Sequence, residues 1–118
     1  MTKAAFSVRA FGYYMLVLGV VLVLAPNQLL GLSFMPPTNE VWIRVAGVLV
    51  LNIGVYYIYA AKCEATDFFA ASVYTRILVF VAFAAFAALG LAKPMLVLFG
   101  AVDLLGGLWT LRALKSAA

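Results

Sequence analysis

The chain alternates between long apolar runs and short polar or proline-bearing breaks. The first run fills residues 10–25 and stops at Pro26-Asn27, because proline cannot continue a helix. The second begins just after Pro36-Pro37, the third follows the polar stretch 62–68, and the fourth opens at Pro94, whose missing N–H costs nothing at a helix start. Each run is near the roughly 20 residues needed to cross the hydrocarbon core. Inside lipid a backbone must satisfy its own hydrogen bonds, so runs of this length mean helices. The alternating polarity of a membrane barrel strand is absent. The pattern predicts helices over about 6–25, 41–61, 69–92 and 94–114. The expected fold is all-α, a single four-helix domain over 1–118, packed as an antiparallel up-and-down integral membrane bundle.

Composition agrees. Of 118 residues, 68% are hydrophobic and 10% charged, against roughly 45–50% and about 25% in soluble domains. A chain this short has too much surface to hide that apolar mass from water. A signal peptide is the competing reading of the first run, since Lys3 and Arg9 precede it and Val23-Leu24-Ala25 resembles a cleavage site. Pro26 directly after the cut argues against it, and the run is long for a signal core.

Charge sets the expected orientation. Lys3, Arg9, Lys62, Arg76, Arg112 and Lys115 fall on the side of the termini, and only Arg44 and Lys93 on the other. The positive-inside rule then places both termini and the 62–68 loop in the cytoplasm. The net charge of +4 reflects this bias and is not a nucleic-acid signal, because the basic residues flank apolar spans. All six tyrosines, Tyr13, Tyr14, Tyr56, Tyr57, Tyr59 and Tyr74, share the same half, as an interfacial aromatic belt or a tyrosine-lined pocket would. The 27–40 loop holds Leu29, Leu30, Leu32, Phe34 and Met35, which predicts that it lies at the outer interface or caps the helices.

Small residues suggest the packing. Gly12 and Gly19, Gly47 and Gly54, and Gly100 and Gly107 are each seven apart, while the third helix offers Ala84, Ala87 and Ala88. A seven-residue step keeps one face toward a left-handed neighbour, and small residues let backbones approach. Residues 47–62 also align with 100–115, matching Gly47 to Gly100 and Gly54 to Gly107. That alignment suggests a parallel repeat of two hairpins.

Chemistry-bearing residues are few. There is no His and one Cys, Cys63, so neither a metal cluster nor an internal disulfide is predicted. No phosphate loop and no nucleophile–base pair appears, which points away from an enzyme, and no cofactor is specified. Glu64 and Asp67 read as solvated. Asp103 stands out. It lies nine residues after Pro94, about 13 Å deep at 1.5 Å per residue. Its side chain is too short to reach water, so it is expected to face the protein. Asn52 sits at a similar depth, with Arg44 nearer the outside and Arg76 nearer the cytoplasm. Helical spacing groups Asp103 with Thr110, and Asn52 with Tyr56 and Tyr59. The candidate polar core or ligand site is therefore Asp103, Arg76, Arg44, Asn52, Tyr56, Tyr59 and Thr110, with Asp103 paired to an arginine. Such a core either clamps helices together or marks a function.

Ile43-Arg44-x-x-Gly47 opening one span and Tyr74-Thr75-Arg76-Ile77-Leu78 in the next resemble the DoxX-like small bacterial membrane proteins. The resemblance covers the second and third helices. The Gly-x-x-Lys-Leu that commonly follows that family's first helix is replaced here by Ala25-Pro26-Asn27-Gln28. The resemblance implies a four-helix accessory protein near membrane redox enzymes or quinones, with no catalytic residue. The expected function is thus a non-catalytic subunit binding a lipid, quinone or other hydrophobic ligand, surrounded by membrane lipids and assembled as a homo-oligomer or within a larger complex. The alternative is a small oligomeric transporter or proton pathway using Asp103.

Overall fold

Thr2 begins the first helix by turning its hydroxyl back to accept from the Ala5 amide at 3.1 Å, which satisfies one of the free N–H groups of the first turn. In the computed structural model, which describes residues 1–117, helices run α1 Lys3–Leu24, α2 Pro26–Leu32, α3 Trp42–Lys62, α4 Thr66–Ala88 and α5 Met95–Ala117. Four of them, all but α2, are long and apolar enough to cross a membrane. The chain is a multi-pass, all-helical membrane protein among the described residues.

Two features depart from the sequence reading. Pro26 ends α1 but also occupies the first turn of the short helix α2, a position where its lack of an amide hydrogen is harmless. The third span starts at Thr66, so the expected 62–68 loop shrinks to three residues, with Glu64 in the left-handed region at φ 54°. Glu64 is not merely solvated. Its carboxylate accepts from the Thr2 hydroxyl at 2.7 Å and the Thr2 amide at 3.3 Å, tying the start of α1 to the α3–α4 turn.

The α1–α3 contact is backbone against backbone. A Cβ placed on Gly19 would lie 2.7 Å from the Leu51 nitrogen and 2.8 Å from the Gly47 carbonyl oxygen. One placed on Gly54 would lie 3.0 Å from the Gly12 oxygen. Gly12 thus meets Gly54 and Gly19 meets Gly47. Where lipid is as apolar as the side chains, this close approach supplies the dispersion contacts that hold helices together. In the second hairpin, Gly100 lies against Phe80 and Phe83, and Gly107 against Val73 and Arg76. In both hairpins, then, the paired glycines of the second helix face the first. The α4 side of that seam near Gly100 is formed by phenylalanines rather than by Ala84, Ala87 and Ala88.

The hairpins meet through α1 and α5, giving the lateral order α3, α1, α5, α4 and a flattened cross-section of 29 × 19 Å. The buried core gathers at the end that carries the termini: Ala4, Ala5, Val8, Phe11, Tyr57, Ala60, Ala61, Phe69 and Ala113. At the opposite end the helices part around an apolar cavity of about 280 Å³. Leu29, Leu30 and Met35 from α2 and its following loop close it over Leu18, Leu22, Val50 and Phe99. The apolar 27–40 segment therefore caps the helices in part, while Leu32 and Phe34 point outward at 81% and 83% exposure.

Candidate functional site

Arg76 sits ten residues into α4, about 15 Å from its start at 1.5 Å per residue. It is 2% exposed, the largest fully buried side chain in the molecule. Side chains on a helix lean toward its N-terminus, and Arg76 follows that lean. Its Nε donates to the Ser72 carbonyl at 3.1 Å, and Nη2 donates to Ser72 Oγ and Thr110 Oγ1, both at 2.9 Å. The guanidinium lies 4.8 Å from the Phe11 ring centroid and 5.4 Å from that of Tyr57. Both distances are within cation–π range.

The bonds continue across three helices with a fixed direction. Ser7 donates its single hydroxyl proton to the Ala4 carbonyl at 2.7 Å. The 2.8 Å contact between Ser7 and Thr110 is therefore donated by Thr110. A relay runs from Arg76 on α4 through Thr110 on α5 and Ser7 on α1 to the α1 backbone. Such chains polarise one another in a low-dielectric interior.

One atom is left out. Arg76 Nη1 is buried and has no hydrogen-bond partner. No carboxylate reaches it among the described residues, so the cation has no counter-ion in contact. Nη1 lies behind Gly106, where an added Cβ would come within 3.3 Å of it and 2.7 Å of the Phe11 ring. Phe11 and Gly106 are also the back wall of an open groove of about 390 Å³ between α1 and α5, completed by Ala10, Tyr14, Val102, Leu105 and Trp109.

The predicted site residues divide. Arg76 and Thr110 are joined directly. Asp103 lies on α5 two turns from Thr110, half-buried and near mid-span. The expected Asp103–arginine pair is not formed: Arg76 leans the other way, toward Ser72 and Thr110. Arg44 is at the opposite end, near the start of α3, where it donates to the Val23 carbonyl of α1. Asn52, Tyr56 and Tyr59 do share a face of α3, but it faces outward, with the two tyrosines 59% and 61% exposed. The face of α3 turned toward α1 carries Gly47, Gly54, Tyr57 and Ala61 instead. Ser7, Ser72 and the rings of Phe11 and Tyr57 complete the site; the sequence reading passed over all but Tyr57, which it grouped with the interfacial tyrosines. Ser72 could have been found from its position four residues before Arg76, where a leaning arginine must end.

No protein-family model matches the chain, and neither a curated protein nor a solved structure matches it.

Proposed function

We propose that the chain is a non-catalytic membrane subunit that binds a hydrophobic molecule with an oxygen-bearing head, such as a lipid or a quinone-like compound, in the groove between α1 and α5. The observation that carries this reading is the buried Nη1 of Arg76, a cationic donor without a partner behind the groove wall. A buried donor left unmade costs about 1–3 kcal/mol, and more when charged. A structure that retains this cost has a use for the donor. Rotation of the Phe11 ring would open Nη1 to a carbonyl, carboxylate or phosphate oxygen, while Leu105, Val102 and Trp109 cover the ligand's apolar body. This agrees with the accessory, quinone-associated role that the DoxX-like resemblance implies.

The four spans form an antiparallel up-and-down bundle, with both termini in the cytoplasm of a bacterial inner membrane. Lys3, Arg9, Lys62, Arg112 and Lys115 flank the spans at one end, which supports that orientation.

The test is mass spectrometry of lipids and quinones retained by the purified protein. The wild type should hold one such molecule near stoichiometry, and Arg76→Gln should lose it at least about tenfold, equivalent to roughly 1.4 kcal/mol. Equal retention by both proteins would overturn the assignment. A second reading, a proton or ion pathway, is favoured by one observation: Asp103 is an acid near mid-span with no hydrogen-bonded partner among the described residues. It requires proteoliposome flux that Asp103→Asn abolishes.

A further inference from the structure

The packing leaves a polar side chain where a membrane protein can least leave it. Asn52 is the eleventh of the 21 residues of α3, so it lies at the middle of the span. It is exposed, and nothing among the described residues hydrogen-bonds to it. Five residues from Gly47, at 3.6 residues per turn, it stands roughly 140° around the helix from the glycine seam that packs on α1. In the bilayer this amide faces hydrocarbon, where a free donor and acceptor are costly.

Its neighbours on that face follow a second seven-residue pattern. Val45, Asn52 and Tyr59 are seven apart, as are Val48 and Val55, and Leu49 and Tyr56. All are exposed. Read as a heptad, Val45, Asn52 and Tyr59 take one core position, and Val48 and Val55 the other. The helix thus carries two seams on opposite sides. The glycine seam is filled by α1, and the valine–asparagine seam is left exposed among the described residues.

We propose that a second copy of this chain fills it, with α3 packed in parallel on α3 and Asn52 bonded to Asn52. Three points select a second copy over another occupant. Copies inserted with one orientation are related by an axis along the membrane normal, so each seam residue meets itself at its own depth. Asparagine is self-complementary, since its amide donates and accepts at once. A single asparagine at such a heptad position is also the device that fixes register in parallel helix pairs. The inference is independent of the ligand reading, because the groove between α1 and α5 lies on other helices.

The test is cysteine cross-linking in native membranes, in a Cys63→Ser background. Val48→Cys and Val55→Cys should form disulfide-linked dimers under mild oxidation, and Leu78→Cys on the outer face of α4 should not. Asn52→Leu should lower the dimer fraction at least tenfold on dilution in liposomes, read by energy transfer between labelled copies, with Asn52→Gln retaining more of it. Because Asn52 is exposed on α3, the leucine variant should keep the wild-type unfolding midpoint when both are compared at dilutions where they are monomeric. A dimer that cross-links through Leu78 and not α3 would overturn the proposal. So would an Asn52→Leu dimer of unchanged strength, or Val48→Cys adducts only to a different protein or to none.

Discussion

Gly19→Ala tests the packing argument most sharply. The added methyl would sit 2.7–2.9 Å from the nitrogen and Cα of Leu51 and the carbonyl oxygen of Gly47. All three are backbone atoms, so no rotamer change relieves the clash, and α1 and α3 must part locally. Overpacking of this kind costs about 1–3 kcal/mol. Alanine returns up to about 1 kcal/mol through its better helix propensity. The net expectation is a loss of about 1–2 kcal/mol. Gly12→Ala should lose less, because its nearest neighbours lie at 3.0–3.2 Å and one of them, Ile58 Cγ1, can move by a rotamer change. Gly31→Ala is the control: it lies in α2 with nothing within 4 Å, and should be neutral or slightly stabilising. Detergent-driven unfolding in mixed micelles, followed by tryptophan fluorescence, would rank the three. A Gly19→Ala protein as stable as Gly31→Ala would refute the claim that backbone contact between α1 and α3 holds the molecule together.

Further expectations follow from the same geometry. Arg76→Met should keep or raise stability by about 1 kcal/mol in the same unfolding assay, since it removes a buried cation. Ser72 would still donate to the Phe69 carbonyl and Thr110 to Ser7. A loss above about 2 kcal/mol would instead make the arginine a helix clamp. Asp103→Asn should leave stability within about 0.5 kcal/mol, because no ion pair is broken. A large loss would reveal a partner. For orientation, a cysteine at Thr66 should resist impermeant reagent in intact spheroplasts and react after lysis, and labelling from outside would invert the topology.

The spans were legible because apolar length is a one-dimensional property. Their limits were less so: Thr66 and Asp67 read as loop, yet acidic and hydroxyl residues suit the first turn of a helix, and α4 starts there. The glycine pairs were legible as packing seams because spacing fixes a face. Which helix each face meets depends on the lateral order, and nothing in the sequence places α1 between α3 and α5. For that reason Asn52, Tyr56 and Tyr59 were grouped correctly on one face and assigned to the wrong side. Arg76 was legible as a charge inside a span. Its turn toward Ser72 and away from Asp103 comes from side-chain direction, which residue depth alone does not contain.

The relay from Arg76 also has a history in the order of synthesis. Ser7 and Thr110 are 103 residues apart, and α5 leaves the ribosome after α1, α3 and α4. Until it inserts, α1 and α3 can already close on their glycines, but Arg76 lacks Thr110 and the wall that Gly106 gives it. A nascent chain stalled before α5 thus holds an arginine span with an open flank, and an arginine facing lipid costs roughly 2.5–3.5 kcal/mol on the insertion scale. That open flank is the mark of an intermediate of assembly. Completion of the fourth span removes the mark in the same step that builds the site.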